Sequence, residues 1–232
     1  MISSLFAAIL TSMLHVISGP DHLAAVTPLA IESDKKAWKV GLAWGFGHLS
    51  GMLLIGLLFF LFKNFIPITK ISEHSEKLVG VVLIGVGLLA FYRIFNEQKT
   101  HTHTHIHTDG NPIIHTHKHE HHHENHKHAH NKKIKQNIFS SFGIGFIHGL
   151  AGIAHFILLL PVLSFDSNVE GIQYIIGFGI GTVLAMTTYT LVLGKISGIS
   201  KQQHNNSFFS GIRLAGGLFA IIIGIYWLVF SL

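Results

Sequence analysis

The sequence predicts an all-α, polytopic membrane protein with six transmembrane helices, arranged as two inverted three-helix repeats. Of its 232 residues, 49% are hydrophobic and only 12% are charged. The mean hydropathy of +0.48 is too high for a soluble domain of this size. Several stretches reach the roughly 20 mostly apolar residues that one bilayer crossing needs. A set of special residues that recurs in the second half of the chain indicates the repeat.

Six predicted spans cover almost all of the chain outside one long polar loop. Loops on one side of these spans hold 13 Lys and Arg residues, and loops on the other side hold three. The positive-inside rule places the first set in the cytoplasm, so we expect a multi-pass protein of the plasma (inner) membrane with both termini outside. No cation precedes the first span, which is therefore not predicted to be a signal peptide. The spans are 2–31, 38–62, 77–95, 138–163, 170–193 and 208–231.

The chain divides into three parts. Residues 1–95 form the first three-helix half, and residues 137–232 form the second. Between them, residues 96–136 form a cytoplasmic loop that holds 13 of the 20 histidines. Because this loop has almost no apolar residues, we expect it to be disordered and to expose many weak imidazole sites that collect metal ions. An inert hydrophilic spacer is the alternative.

Histidine, glycine and proline residues of the first predicted helix recur in the fourth at an offset of 133 positions. A shift of 132 then aligns residues 45–47 of the second helix with residues 177–179 of the fifth, both Gly-Phe-Gly. A unit of three helices crosses the membrane an odd number of times, so its second copy inserts upside down. Inverted repeats are typical of secondary transporters, whose substrate site lies near the midplane where interrupted helices meet. The pairs matched between the first and fourth helices are His15 and His148, Gly19 and Gly152, His22 and His155, and Pro28 and Pro161.

The first predicted helix carries ionisable residues inside an otherwise apolar span. An Asp at the centre of a bilayer costs about 3 kcal/mol on insertion scales, so Asp21 is expected to be functional. Gly19-Pro20 should break or kink the helix and bring His15 and His22 together, since a continuous helix would hold them about 10 Å apart. The alternative is a kink lined by hydrogen-bonded polar residues. We predict that these three ionisable residues bind a metal ion.

Other histidines extend this candidate site to further helices. His48 lies in a glycine-rich packing stretch of the second helix, and a similar phrase surrounds His148 in the fourth helix, where a second histidine follows. Imidazole suits borderline metals such as nickel, cobalt, zinc and copper(II). Hydroxyls of residues 182–189 are interpreted as ordinary interhelical hydrogen-bonding groups. The predicted metal ligands, which we expect to converge on one polar cavity, are His15, Asp21, His22, His48, His148 and His155.

Composition excludes several classes of function. Cysteine is absent, so no disulfide, thiolate nucleophile or soft thiolate metal site is available. Neither a Walker motif nor the His-Glu-x-x-His of an intramembrane protease occurs, and we expect no enzyme activity. The net charge of +5 arises from loop cations and is a topology signal rather than evidence for nucleic acid. The expected partners are a divalent metal ion as substrate and the lipid bilayer, with no tightly bound cofactor.

The phrase His15-x5-Asp21-His22, with Gly-Pro before the Asp and Leu-Ala-Ala-Val-Thr-Pro after it, resembles the nickel and cobalt transporter superfamily (NiCoT/NicO) in its UreH-like urease accessory transmembrane branch. The resemblance covers essentially the whole chain. It implies that His15, Asp21 and His22 form the metal-recognition signature. The larger nickel permeases differ in having four residues between the His and the Asp-His, and eight helices.

These observations favour a secondary transporter of divalent transition-metal ions. Nickel or cobalt is the expected substrate, and export is slightly favoured over uptake because the His-rich loop would gather ions on the cytoplasmic side. Exchange against protons is the expected drive, since imidazole and carboxylate ligands take up metal in their deprotonated forms. The alternatives are a zinc transporter and a metal-binding membrane accessory protein for nickel assembly of urease or hydrogenase.

Overall fold

The computed structural model describes residues 2–33, 36–62, 68–97, 100–107, 113–120, 138–151, 162, 164–165, 167–202 and 206–230. These residues form seven helices and one two-stranded hairpin. The helices are α1 (Ile2–Ser18), α2 (Pro20–Ser33), α3 (Ala37–Phe62), α4 (Ile68–Glu97), α5 (Ile138–Leu150), α6 (Asn168–Gln202) and α7 (Asn206–Phe230). The strands are β1 (Thr100–His107) and β2 (Ile113–Glu120).

Four of the described helices contain apolar stretches long enough to cross a bilayer. They overlap four of the predicted spans, and the stretches are Ala37–Leu58, Lys77–Asn96, Asn168–Ser200 and Ser207–Phe230. The first predicted span is divided between α1 and α2, and the fourth is described only as far as Ala151. The protein is therefore a multi-pass helical membrane protein. The count of six spans, their pairing into inverted repeats and the three-part division of the chain stay predictions.

A break at Gly19 separates α1 from α2, as the Gly-Pro pair predicts. The Gly19 amide still donates to the carbonyl of His15 at 2.9 Å, closing the last turn of α1. Pro20 is the first residue of α2, a position where its missing amide hydrogen costs no helical bond. A side chain at Gly19 would meet the Asp21 carboxylate at 3.0 Å and also the His22 ring. Glycine therefore leaves room for these groups at the break.

The second half of this broken helix lies in the centre of the bundle. Ten of the 14 residues of α2 are buried. Thr27 and Tyr189 share a hydrogen bond of 2.6 Å between their hydroxyls, and Ser197 donates to the carbonyl of Ile31 at 2.6 Å. At the end of α2, Glu32 forms an ion pair with the buried Arg213 of α7. Polar bonds thus fix α2 against both α6 and α7.

The most extensive helix contacts each join the two halves of the chain: α3 packs on α5, α4 on α7, and α1 on α6. Glycines bring the α3 and α5 backbones together. A Cβ added to Gly145 would clash with the carbonyl oxygen of Trp44, and one added to Gly149 would clash with the carbonyl oxygen of His48. Close backbone approach of this kind is how helices associate in membranes, where apolar lipid removes the usual hydrophobic driving force.

The outer surface of the bundle is apolar, as lipid contact requires. Large hydrophobic side chains are exposed on helices from both halves of the chain. Because lipid tails are as apolar as these side chains, their exposure costs little in a bilayer. Examples with more than half of their surface exposed are Phe6, Leu57, Leu88, Ile176 and Phe230.

Within the His-rich loop the structure describes one antiparallel hairpin, in which β1 pairs with β2. The expectation that residues 96–136 as a whole are disordered stays a prediction. Alternation explains the strands, because Thr and Ile, which favour extended backbone, occupy many of the positions between the histidines. The other residues of this loop lie outside the described part of the chain.

Changing Gly149 to Ala should destabilise the protein, because the added methyl group meets the α3 backbone, which cannot move away locally. We expect a loss of about 1–3 kcal/mol, the usual cost of overpacking. The measurement is unfolding of the purified protein in mixed detergent micelles.

Gly143→Ala is the matched control, since nothing lies within 4 Å of a Cβ at that position of the same helix. There the higher helix propensity of Ala should leave stability unchanged or slightly increased. Equal destabilisation by both substitutions would contradict the proposed backbone contact.

Candidate metal site

Five of the six predicted ligands meet at the break between α1 and α2. The described residues contain two groups of three side chains whose potential ligand atoms all lie within 4.8 Å of one another. The first group is His15, His22 and His48; the second is Asp21, His22 and His148. These residues come from four helices, α1, α2, α3 and α5. The sixth predicted ligand, His155, lies outside the described residues, as do Gly152 and Pro161.

The carboxylate of Asp21 connects the two halves of the chain. One of its oxygens lies 3.0 Å from Nδ1 of His22, and the other lies 3.0 Å from Nε2 of His148. Asp21 is also in the first turn of α2, where the helix dipole stabilises a negative charge. All three side chains are buried. The buried Asp21 carboxylate thus has two imidazole partners, and the positive end of the α2 dipole stabilises it as well.

His22 lies at the centre of the cluster. Its ring centroid is 4.8 Å from those of both His15 and His148, and 5.1 Å from that of His48. Only 1% of its surface is exposed. Because His22 belongs to both groups of three ligands, any ion bound by either group contacts this one imidazole.

The separations are close to those of a metal site. Two ligand atoms on opposite sides of one ion, each with a bond of about 2.1 Å, lie about 4.2 Å apart. The ligand atoms of each group all lie within 4.8 Å of one another, so a small rearrangement of side chains is enough to bind an ion. The ends of α1 and α2 add partial charges from unpaired backbone groups, as the interrupted helices of transporters do.

Trp44 is part of the cluster, and the sequence analysis missed it. Its ring stacks on that of His48 at 4.8 Å with only 10° between the planes, and it also packs within 5.6 Å of His22 and 5.4 Å of His148. The side chain is fully buried, and its Nε1–H has no hydrogen-bond partner among the described residues. Its position four residues before His48, on the same face of a helix, is the signal that points to it.

The buried or partly buried hydroxyl groups of α6 differ in their hydrogen bonding. Tyr189 bonds to Thr27, as expected of an ordinary interhelical hydrogen bond. The hydroxyls of Thr182 and Thr187 are buried and have no partner within the part of the chain that the structure describes.

The ion pair of Glu32 with Arg213 was also not predicted from the sequence, because neither residue belongs to a recognisable motif.

The fold and the site define a multi-pass membrane protein with a buried His and Asp cluster at a helix break. Residues 4–226 match the family described as "Cytochrome C biogenesis protein transmembrane region". The chain belongs to this family. It contains no cysteine, so the groups that its buried cluster offers are imidazoles and a carboxylate.

Individual relatives fall into two kinds. The chain is 32% identical to "Urease accessory protein UreH" of Bacillus sp. (strain TB-90) over 214 residues, 90% of this chain and 83% of that protein. It is also 32% identical, over 203 residues, to the Arabidopsis thaliana proteins "Chloroplast protein FOR GROWTH AND FERTILITY 2" and "Chloroplast protein FOR GROWTH AND FERTILITY 1". Those matches cover 87% of this chain, and the chain spans about half the length of these two relatives. No solved structure matches.

The hydrogen bond between Asp21 and His148 predicts energetic coupling between α2 and α5. In a double-mutant cycle with Asp21→Ala and His148→Ala, the loss of stability in the double mutant should differ from the sum of the two single losses by about 1–3 kcal/mol. The reason is that each change alone leaves a buried polar partner unsatisfied. The measurement is the free energy of unfolding in detergent micelles. A cycle of Thr27→Val with His148→Ala, which share no hydrogen bond, should be additive. Additivity in both cycles would contradict the contact.

Proposed function

We propose that this protein is a secondary transporter of divalent transition-metal ions, with nickel or cobalt as its substrate and export as its direction. The observation that carries the proposal is the convergence of Asp21 and four imidazoles on the break between α1 and α2. An intramembrane carboxylate is costly and marks an ion pathway by default. A buried cluster at a broken helix is where transporters bind their substrates.

The chemistry of the cluster suits borderline ions. Imidazole nitrogen is a good ligand for nickel, cobalt and zinc, whereas magnesium and calcium prefer an all-oxygen shell. One carboxylate offsets part of the charge of a divalent ion in a region of low dielectric constant. The ligand set therefore supports transition metals as a class, and the resemblance of the His15-x5-Asp21-His22 phrase to the nickel and cobalt transporters favours those two over zinc.

Helix packing supports an inverted repeat. In an inverted repeat the first predicted helix corresponds to the fourth, and the second corresponds to the fifth. Because α1 and α5 belong to the first of these pairs and α3 and α6 to the second, the contact of α1 with α6 should have a counterpart in the contact of α5 with α3. Both are among the most extensive contacts. Glycines allow close backbone approach in both, since a Cβ at Gly181 would clash near Ile9 and one at Gly47 would clash near Phe142.

A membrane accessory role in urease assembly is the second candidate. It is favoured by the similarity to the urease accessory protein UreH, which extends over most of both chains. In that role the cluster holds a metal ion and passes it to a protein partner instead of moving it across the bilayer. The two functions differ in one measurable respect, because only the transporter produces a flux into sealed vesicles.

Asp21→Asn should abolish metal flux while leaving the protein inserted, because the change removes the charge and keeps the volume of the side chain. His22→Asn should do the same, since His22 belongs to both groups of ligands. His74→Asn, at an exposed position of α4, is the matched control and should retain flux. The measurement is uptake by proteoliposomes, with nickel, cobalt and zinc supplied separately on each side.

Several outcomes would overturn parts of this proposal. Full flux in Asp21→Asn would exclude the cluster as the pathway. Metal binding by the purified protein without flux of any of the three ions would favour the accessory role. Flux of zinc alone would leave the site in place and correct the choice of substrate.

The fluorescence of Trp44 should change when a metal ion binds to the cluster. Nickel and cobalt ions are open-shell and quench a nearby indole, so adding either ion should lower the tryptophan fluorescence of the wild-type protein. Trp44→Phe should remove this quenching while retaining an aromatic ring against His48. Trp38→Phe, which removes a partly exposed indole, is the control and should leave the quenching intact. Equal quenching in the Trp44→Phe protein would place the ion elsewhere.

A further inference from the structure

The hydroxyl of Thr182, in α6, is buried without a partner. Only 1% of the surface of this residue is exposed, and its hydroxyl makes no hydrogen bond to any residue that the structure describes. Thr27 and Thr190 instead donate to the backbone carbonyl four residues earlier in their own helices. Because a buried hydroxyl without a partner is costly, the group calls for a ligand.

The side chain of Thr182 faces the gap between α1 and α3. A Cβ on Gly181, one position earlier, would meet Ile9 of α1. One position later, Val183 contacts Gly45 of α3. Successive residues of an α-helix are rotated by about 100°, so position 182 lies midway between these two faces. The helices on either side of the gap, α1 and α3, supply two of the three imidazoles of the first ligand group.

Contacts before and after Thr182 on the same face of α6 place it beside the cluster. Phe178, one turn earlier, has its ring centroid 6.4 Å from that of His15 in α1. Tyr189, about two turns later, bonds to Thr27 of α2. Thr182 lies between these two contacts. Its hydroxyl therefore faces the break between α1 and α2, where the candidate ligands meet.

We propose that the Thr182 hydroxyl accepts a hydrogen bond from a water ligand of the transported ion, and so favours ions that keep part of their hydration shell. This role rests on the proposed transport function and adds a residue that sets its specificity. Nickel and cobalt ions in water are octahedral, so the three atoms of one ligand group leave half of the shell to water. Zinc in proteins is usually tetrahedral and needs only one further ligand.

A water molecule on a buried ion needs an acceptor for its hydrogens. The ion polarises the water and makes it a strong donor. Both oxygens of Asp21 already have imidazole partners, His22 and His148. The oxygen of a hydroxyl has two lone pairs, so Thr182 can accept from such a water. The more water an ion keeps in the cluster, the more it gains from Thr182.

The test uses a protein in which Trp44 is the single indole. The chain has three tryptophans, and the other two are changed by Trp38→Phe and Trp227→Phe. Nickel chloride is titrated into this protein in detergent micelles, and quenching of Trp44 gives the affinity of the cluster apart from any binding by the His-rich loop. Zinc is closed-shell and does not quench in this way, so its affinity is measured by competition with nickel.

We expect Thr182→Val to weaken nickel binding about tenfold, through loss of one hydrogen bond to a polarised group, and to weaken zinc binding much less. Thr182→Ser keeps the hydroxyl and should retain the preference for nickel. The matched control is Thr187→Val, which removes another buried hydroxyl without a partner among the described residues. Thr187 lies one turn after Val183, on the face toward α3, so neither affinity should change. Without metal, both Val variants should unfold at the wild-type denaturant concentration or higher.

An unchanged nickel affinity in Thr182→Val would overturn this role, and so would equal losses of nickel and zinc affinity. Unfolding of Thr182→Val at lower denaturant without metal would assign the hydroxyl to stability instead. Nickel flux into proteoliposomes separates this role from the proposed function. If the wild type transports nickel and Thr182→Val keeps its preference, only the role of Thr182 fails. If the wild type shows neither quenching nor flux, the proposed function fails, and the role of Thr182 with it.

Discussion

The buried carboxylate of Asp21 sets the main constraint on this structure. A charge within an apolar span costs about 3 kcal/mol even on insertion scales, and more when its hydrogen-bonding capacity is unmet. Its two oxygens are therefore bonded to His22 and His148. One partner lies next to it in the chain, and the other comes from the second half of the protein. Burying this one group requires both a helix break and a contact between halves.

Each requirement is met by residues with small or absent side chains. At the break, Gly19 leaves space for the Asp21 and His22 side chains, and Pro20 begins a new helix whose positive end faces the carboxylate. Between the halves, Gly145 and Gly149 let α5 lie against the α3 backbone beside Trp44 and His48. That approach brings His148 to Asp21 and packs its ring against the indole. The glycines thus allow the close helix contacts that bring the candidate ligands together.

Sequence alone predicted those features that local chemistry decides. The break at Gly19-Pro20 follows from backbone sterics, and the presence of polar partners around Asp21 follows from the cost of a charge in lipid. Trp44 was not predicted, because an aromatic residue in an apolar span has the same pattern whether it faces lipid or an imidazole. The end of α6 was predicted at residue 193 but lies at Gln202. Hydropathy falls where polar residues begin, whereas the helix continues, and Ser197 in this continuation bonds to α2.

The hydrogen bonds of Asp21 also bear on how the cluster would hold an ion. A carboxylate only accepts, so the nitrogens that face it, Nδ1 of His22 and Nε2 of His148, carry the protons of those bonds. In a neutral ring the other nitrogen then carries no proton, which is the form that binds metal. Carboxylates commonly orient metal-binding imidazoles in this way.

Two modes of binding follow from that geometry. In the first, the ion lies among His15, His22 and His48, and Asp21 fixes the tautomer of His22 without touching the metal. In the second, the ion lies among Asp21, His22 and His148, and a proton must leave the nitrogen that becomes a ligand. Since His22 is common to both groups, an ion that passed from the first to the second would stay on the same imidazole, and the ring proton would shift to the nitrogen that the ion leaves. Such a step links metal movement to proton movement within a single cluster.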